Sequence, residues 1–328
     1  MRLVFLSLMC LMCSCSYALR NGWPVDFTDG ALAEEVLHVV SDEGIPIAGV
    51  AISGGFQTGL GYRDFQPIRG VTDAKGVYVA RGRCTGRMRL EVSRRGYYAT
   101  ELVLADYGAT HHRENGKWLP FGEERKIVLK KIRNPQPLVV KTARNALKVP
   151  RYNDWLGFDL ERYDFVAPVG KGRATDLFLR FSIENDARDD YHMTFDVSFV
   201  GIPFAGAYEM AKEAGSEFES VYRADTNAVF RQTFAYRYDR HPNAPPRYVK
   251  LQKDKYLVFR TRTTVDDSGR LLSAHYGKIC GEWNFVGPAG MSMDRLVFNA
   301  TPNDTNLEDR DTADRSHKAQ LDREDSLK

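Results

Sequence analysis

The 328-residue chain has few cysteines, and their placement excludes most cysteine-based sites. Only five are present, and Cys10, Cys13 and Cys15 all fall within the first eighteen residues. The other two, Cys84 and Cys280, lie far apart, and no Cys/His spacing typical of a zinc site accompanies either one. In an oxidising compartment they could form one bridge, and otherwise they are two separate buried thiols.

Long apolar runs are also missing after the N-terminus. A transmembrane helix needs about twenty consecutive apolar residues, and the apolar run Leu3–Met12 is too short. This run, with small residues up to Ala18, predicts an export signal over 1–18 and a polar leader over 19–33. The alternative is a lipoprotein signal with Cys15 as the lipidated residue, which would be the protein's one link to a membrane.

The chain lacks an excess of either charge. Its 46 Lys and Arg residues nearly balance 43 Asp and Glu residues, which gives a net charge of +3. No strong field therefore points to nucleic acid or to an anionic membrane. The sequence also has no nucleophile elbow and no zinc-helix motif, and we predict neither a cofactor nor a metal.

What the sequence does contain is short alternating apolar runs broken by turn residues, which predicts an all-β fold. Residues 34–131 form the first predicted domain, a β-sandwich. Its turn signals include Asp42–Gly44 and Asp73–Gly76, where glycine supplies a positive φ. The predicted strands lie near 35–41, 47–53, 76–81, 87–93, 99–104 and 125–131, with a polar loop over 105–124.

A second, aromatic-rich domain follows a proline-containing linker at 132–137. Period-two alternation within 138–302 predicts a mostly-β domain, and Asp266–Gly269 is a strong hairpin signal. Ala207–Ala214 is the one stretch with helical character. The charged tail 303–328 has almost no aromatic residues and is predicted to be disordered.

The first domain resembles the carboxypeptidase regulatory-like (transthyretin-like) family. The similarity is carried by Gly44–Val50, Thr72–Tyr78 and Gly96-Tyr97. It implies a seven-stranded prealbumin-like or Ig-like sandwich that serves as an accessory module, and it implies no particular activity.

The second domain is similar to a β region of exported bacterial proteins that also carry a domain of the first kind. The matching segments are Asn134–Pro137, Gly157–Leu160, Asp164–Gly172 and Ala274–Ile279. This resemblance implies a bacterial, extracytoplasmic origin and no mechanism.

Three polar motifs have a plainer explanation than ligand binding. Gly170–Gly172 lacks the Gly-spaced run of a phosphate loop and is predicted to be a tight turn. His111 and His112, with Glu114 nearby, are adjacent on an extended chain and would point to opposite sides, so they should not chelate together. The acidic group Asp186, Asp189 and Asp190 does not match an EF-hand spacing and is predicted to be a turn.

A hydrolase would need a catalytic pair, and the candidates lie in the second domain. His275 has no motif that supplies a nucleophile, so we expect a hydrogen-bonded histidine within a strand. Asp159, Glu161 and Asp164 are the carboxylates to inspect for glycoside hydrolysis, although ordinary turn positions explain them equally well.

Three aromatic residues in loop-like stretches are the predicted ligand-binding residues. Trp118, Tyr152 and Trp155 stand beside polar residues, where flat rings can stack on sugars. The alternative is that they pack at the junction between the domains.

Together these features predict an exported, non-catalytic binding or structural module of the bacterial cell envelope. Its expected partner is a glycan or a cell-surface protein. The alternative function is an extracellular polymer hydrolase with its site in the second domain, and a purely architectural protein is a third.

Overall fold

The protein is described by a computed structural model covering residues 30–59, 64–142, 146–187, 190–213, 215–249, 254–285 and 290–326. The chain divides into two compact units. Unit 1 holds the residues up to Arg94 together with Thr100–Leu129, and unit 2 holds Arg95–Ala99 and the residues from Lys130 onward. The predicted signal, Cys15 and the leader up to residue 29 lie outside the described residues. The end of the predicted leader, Ala31–Ala33, belongs to the first strand instead. No helix within the described ranges is long and apolar enough to cross a membrane.

Unit 1 is built from two β-sheets with mostly antiparallel strand pairing, in agreement with the all-β prediction. One sheet has the order β4-β1-β8-β7, with β9 also pairing with β1, and the other has the order β3-β2-β5-β6. The seven longer strands, β1 to β6 and β9, match the predicted seven-stranded sandwich in number, and the short hairpin β7–β8 is added. The elements are β1 (Ala31–Ser41), β2 (Ala51–Gln57), β3 (Phe65–Val71), β4 (Val77–Cys84), β5 (Arg87–Ser93), β6 (Thr100–Asp106), α1 (Tyr107–Thr110), β7 (His112–Glu114), β8 (Lys117–Leu119) and β9 (Glu123–Leu129).

Strand β1 places a carboxylate on the core face of unit 1. Buried and half-buried residues alternate along the whole strand, and Ala33 and Leu37 are buried on the same face as Glu35. Strand β9 runs parallel to β1 and pairs Glu123 with Glu35 and Arg125 with Leu37. Because paired residues of neighbouring strands share a face, this register brings Glu35, Glu123 and Arg125 together.

Unit 2 is also formed by two sheets, with an aromatic core between them. Its sheets have the orders β12-β11-β13-β14-β16-β17 and β10-β20-β19-β18-β15. The rings of Phe181 and Phe195 stack at 4.9 Å, and Trp283 meets Phe195 edge-on at 5.3 Å. The strands are β10 (Val139–Lys141), β11 (Leu156–Asp159), β12 (Asp164–Phe165), β13 (Leu177–Ala187), β14 (Asp190–Ser198), β15 (Gly206–Ala211), β16 (Thr233–His241), β17 (Ala244–Val249), β18 (Lys255–Val265), β19 (Leu271–Phe285) and β20 (Met291–Asn299).

The hairpin predicted at Asp266–Gly269 is confirmed, and the helix predicted at Ala207–Ala214 is wrong. The Gly269 amide donates to the Asp266 carbonyl at 2.9 Å in the turn between β18 and β19. Within this stretch, Ala207–Ala211 belong to strand β15, which pairs antiparallel with β18, while Ala214 lies outside the described residues. Cross-strand hydrogen bonding and partial burial there outweigh the helix propensity of its alanines.

The prediction of a disordered tail is wrong for residues 303–326. Helix α2 (Arg310–Ser326) follows Leu307–Asp309, which are buried. The helix buries Ala313, Ser316 and Gln320, three residues on one face. The tail was predicted to be disordered because it has few aromatic residues. The helix is instead held in place by small and polar side chains.

The predicted linker is hydrogen-bonded to the segment before this helix. The backbone amides of Arg133 and Asn134 donate to the Glu308 carboxylate at 2.8 and 2.7 Å. Glu308 also accepts a hydrogen bond of 3.0 Å from the Tyr98 hydroxyl. Unit 2 therefore contains Arg95–Ala99, the linker and the tail in one hydrogen-bonded network.

The two cysteines outside the signal are separate thiols. Cys84 lies in unit 1 and Cys280 in unit 2, and both are buried and free. Burial raises the pKa of Cys84 to about 11, so that thiol stays protonated and unreactive. The interdomain bridge considered from the sequence is not formed.

Candidate functional site

Unit 1 contains a buried polar cluster formed by Glu35, Tyr107, His111, Glu123 and Arg125. We call it the Glu35 cluster. Glu35 comes from β1, Tyr107 begins α1, His111 directly follows α1, and Glu123 and Arg125 lie on β9. Three separate parts of the chain thus supply its side chains.

Glu35 is the centre of this cluster and is fully buried. Its Oε1 accepts a hydrogen bond of 2.9 Å from the Tyr107 hydroxyl. Its Oε2 accepts one of 3.2 Å from Arg125 Nε. The same guanidinium donates to Glu123 Oε2 at 2.6 Å, so Arg125 links the two carboxylates.

Tyr107 is a permanent donor in this arrangement. Burial raises the pKa of its hydroxyl far above the ordinary value, and the negative charge of Glu35 raises it further. The protonated hydroxyl therefore fixes the orientation of the Glu35 carboxylate at all ordinary pH values.

His111 points into the cluster while its neighbour points away. The His111 side chain is only 3% exposed, and its Nε2 lies 3.3 Å from Glu123 Oε2. The His112 side chain is 73% exposed and 4.0 Å from Glu114. The prediction that the adjacent histidines do not chelate together is confirmed. The sequence did not indicate that His111 instead meets carboxylates from β1 and β9.

Trp118 is not the exposed aromatic residue that the sequence suggested. It is 8% exposed, and its Nε1 donates to the Cys84 carbonyl at 2.7 Å. Its ring lies 5.8 Å from that of Tyr107. Strand β8 turns Trp118 into the core although its neighbours are polar, so its ring offers no open face to a ligand.

Trp155 and Tyr152, in contrast, are on the surface of unit 2, 45% and 37% exposed. The Arg180 guanidinium lies 4.7 Å from the centre of the Trp155 ring, in cation–π geometry. Arg180 is itself held by Asp196 at 2.8 Å. We call Tyr152, Trp155, Arg180 and Asp196 the Trp155 surface.

The carboxylates inspected for hydrolysis are engaged in structural interactions. Arg262 contacts Asp159 and Asp176 at 3.1 and 2.9 Å and also pairs with Glu161. Asp164 accepts the backbone amides of Phe165 and Lys171 instead, at 2.8 and 3.1 Å. Arg262 thus joins two of the inspected acids, Asp159 and Glu161, and Asp176 in one ion-pair group.

The two buried acids of that group have opposite pKa shifts. Burial alone would raise the pKa of Asp159, but backbone amides, including that of Arg173, and the charge of Arg262 hold it below its usual value. For Asp176, burial dominates over Arg262 and raises the pKa. Since Asp159 already accepts three backbone amides, a structural role accounts for its low pKa.

The Gly170–Gly172 turn is closed by bonds within the protein. The Gly172 amide donates to the Phe165 carbonyl at 2.8 Å, and the Lys171 amide donates to Asp164. A Cβ at Gly170 would come within 2.2 Å of the Phe165 carbonyl oxygen, so the turn needs glycine there. Its amides serve the turn, as predicted, rather than an anion.

His275 and the acidic group near residue 186 also have local partners. His275 Nδ1 lies 3.2 Å from the Asn299 carbonyl oxygen, and its ring stacks on Phe298. Asp190 pairs with His241 at 2.9 Å. Asp189 lies outside the described residues, so the acidic turn is not tested as a whole.

Comparisons with known proteins do not identify a family for this chain. The chain matches no family model and no curated protein. Among solved structures, 3-chlorocatechol 1,2-dioxygenase from Rhodococcus opacus 1CP is 14% identical over 33% of this chain, with a TM-score of 0.25. This chain spans 62% of that dioxygenase's length.

Two other structures align over most of the chain. One is described as a carbohydrate-binding protein from Bacteroides uniformis ATCC 8492, with 9% identity, 81% and 98% coverage of this and that chain, and a TM-score of 0.19. The other is BcpA, the major pilin subunit of Bacillus cereus, with 11% identity, 84% and 99% coverage, and a TM-score of 0.22. Similarities with TM-scores this far below 0.5 carry no argument about this chain.

Proposed function

We propose that the protein is an exported, non-catalytic module of the bacterial cell envelope that binds a glycan through the Trp155 surface. The observation that carries this proposal is the exposed Trp155 ring, 4.7 Å from Arg180. Aromatic rings stack on the apolar face of a sugar, and neighbouring charged groups bond to its hydroxyls.

The local geometry supports a preorganised binding surface. Arg180 and Asp196 form cross-strand partners on β13 and β14, so the strand pairing fixes the guanidinium beside the ring. Tyr152 lies three residues before Trp155 and is also exposed, with its ring 6.3 Å from Phe285. A ligand stacking on Trp155 would thus meet a donor and an acceptor already held in place.

The state of the candidate catalytic groups favours binding over hydrolysis. Glycoside hydrolysis needs one carboxylic acid and one carboxylate free to act on either side of a bond. Here Asp159 and Glu161 share Arg262, and Asp164 caps a turn. These carboxylates are committed to the fold.

Unit 1 fits this proposal as a scaffold. Its two-sheet organisation supports the resemblance to the carboxypeptidase regulatory-like family, whose members are accessory modules. In this proposal unit 1 carries no catalytic function, and unit 2 recognises the ligand.

A glycan-array screen of the mature protein tests the proposal. We expect binding by the wild type, and loss of signal for Trp155→Ala and Tyr152→Ala. Leu272→Ala is the matched control, because Leu272 is a 54% exposed apolar residue of unit 2 that lies on β19. If the wild type binds no glycan, or if both aromatic variants bind like the wild type, the glycan proposal is lost.

A further inference from the structure

The Glu35 cluster has the donor geometry of a metal site. One ligand atom each from Glu35, His111 and Glu123 can be chosen so that all three lie within 4.8 Å of one another. Imidazole nitrogen and carboxylate oxygen are the donors that first-row divalent metals take from proteins. Neighbouring carboxylates are common in proteins without a metal, so the argument for a metal site depends on the surroundings of His111.

The hydrogen bonds around His111 fix its tautomer. The Thr110 hydroxyl donates its only proton to the Asp106 carbonyl at 2.9 Å. His111 Nδ1 lies 2.7 Å from the same hydroxyl oxygen and must therefore be the donor of that second bond. In the neutral imidazole, Nε2 then carries a lone pair and no proton.

That lone pair faces another electron-rich atom. Nε2 is buried, and among the described residues it has no hydrogen-bond partner. Glu123 Oε2 is 3.3 Å away. A nitrogen lone pair and a carboxylate oxygen at this distance can both bind one cation placed between them. Tetrahedral zinc with bonds of about 2.0–2.1 Å separates neighbouring ligand atoms by about 3.3–3.4 Å, which matches this spacing.

The cluster also brings two carboxylates together. Among the described residues, Arg125 is the guanidinium that contacts both Glu35 and Glu123. A divalent ion bound by the two carboxylates balances their charge and frees Arg125.

We propose that Glu35, His111 and Glu123 bind a divalent first-row transition metal, for which Zn²⁺ is the probe, and that Arg125 holds the carboxylates when the metal is absent. The side chains of Glu123 and Arg125 are 31% and 30% exposed, whereas that of Glu35 is fully buried. The metal therefore enters from the Arg125 side as the guanidinium moves into solvent. Tyr107 and Thr110 are positioning residues, because each orients one ligand through a hydrogen bond.

Isothermal titration of the metal-stripped mature protein with Zn²⁺ tests this proposal. We expect one equivalent to bind to the wild type. Tyr107→Phe should weaken binding about 10–100-fold, the usual effect of losing a group that orients a ligand. His111→Ala removes a ligand itself and should weaken binding more than about 100-fold.

Two further variants separate a metal site from a purely structural cluster. Arg125→Met removes the competing cation and should tighten zinc binding by about tenfold, which corresponds to about 1.4 kcal/mol. A structural cluster predicts no such gain. His112→Ala is the matched control, because His112 is the exposed neighbour, and it should bind like the wild type.

The proposal is overturned by any of three results. One is a wild type that binds neither Zn²⁺ nor Mn²⁺. Another is binding that His111→Ala leaves unchanged, since the ion would then lie elsewhere. The last is zinc binding by Arg125→Met that is unchanged or weaker than that of the wild type. This variant also tests the proposal if thermal melting shows that His111→Ala does not fold.

Discussion

Replacing Arg262 with methionine should destabilise unit 2 strongly, because this residue pairs with two buried acids. Arg262 contacts Asp176 at 2.9 Å and Asp159 at 3.1 Å, and these acids are 0% and 1% exposed. Methionine keeps much of the side-chain length. It removes the guanidinium, with its charge, its donors and its position 4.7 Å from the centre of the Phe298 ring.

The magnitude follows from what each acid keeps. Breaking a buried ion pair by removing one partner costs about 3–5 kcal/mol. Asp159 keeps its three backbone donors, and Asp176 keeps the Leu160 amide and Thr261. The lower end, about 3 kcal/mol, is therefore expected. With an m-value of about 2 kcal/mol per molar urea, the unfolding midpoint falls by about 1.5 M.

Urea unfolding followed by tryptophan fluorescence measures this shift. Trp283 is buried in the core of unit 2 and reports its loss. Lys255→Met is the control, because the pair of Lys255 with Glu209 is exposed and should contribute less than about 1 kcal/mol. A shift for Arg262→Met no larger than that of the control would refute the interpretation of the Arg262 group as structural.

Two other predictions concern acid stability and export. Burial would raise the pKa of Asp309, but Lys278 at 3.7 Å, Arg295 at 2.7 Å and the hydrogen bonds from Thr312 together keep that pKa below the usual value. The resulting stability is complete above about pH 4 and is lost as the pH falls through the lowered pKa. Asp309→Asn should therefore flatten the acid-induced loss of stability of unit 2, and Asp311→Asn, an exposed neighbour, should not. Mass spectrometry of the exported protein should find an N-terminus created by cleavage after Ala18.

Each of these two predictions has a result that would contradict it. If Asp309→Asn lost as much stability in acid as the wild type, protonation of Asp309 would not be the cause of that loss. An acyl mass on Cys15 would replace cleavage after Ala18 with lipid anchoring.

Local signals were enough to predict several of the strands and several of the turns. The Asp73–Gly76 turn closes with the Gly76 amide bonded to the Asp73 carbonyl at 3.0 Å, and Gly76 has a φ of +76°. Such a turn depends on residues within a few positions of one another, so the sequence alone specifies it. The segment between Gly54 and Gly70 gave no comparable signal, and strand β3 within it was missed.

The Glu35 cluster required information that local patterns do not hold. Glu35, His111 and Glu123 meet because β1 and β9 pair in parallel and α1 lies beside them, which brings together distant segments. The sequence nevertheless contained one sign of a buried polar site. In the alternating pattern of β1, Glu35 occupies a core-facing position between Ala33 and Leu37. A buried carboxylate needs a hydrogen-bond or ionic partner.

The errors at Trp118 and in the tail have a common cause. In both cases polar neighbours suggested exposure, whereas burial was decided by tertiary contacts. The Trp118 indole bonds to the Cys84 carbonyl, and the Gln320 amide of α2 donates to the Tyr97 carbonyl at 2.6 Å. Such long-range hydrogen bonds stabilise segments whose composition gives no sign of a core.

The most direct measurement of the proposed function is a fluorescence titration of the mature protein with soluble oligosaccharides. Trp155 is exposed, so a sugar stacked on its ring should shift its emission to shorter wavelength. The spectrum of Trp155→Ala supplies the background from the other three tryptophans, Trp23, Trp118 and Trp283. We expect a saturable shift that disappears in Trp155→Ala, and at least about fivefold weaker binding by that variant in calorimetry, equivalent to about 1 kcal/mol. A wild-type spectrum that no oligosaccharide changes, or a shift that persists in Trp155→Ala, would contradict glycan binding at the Trp155 surface.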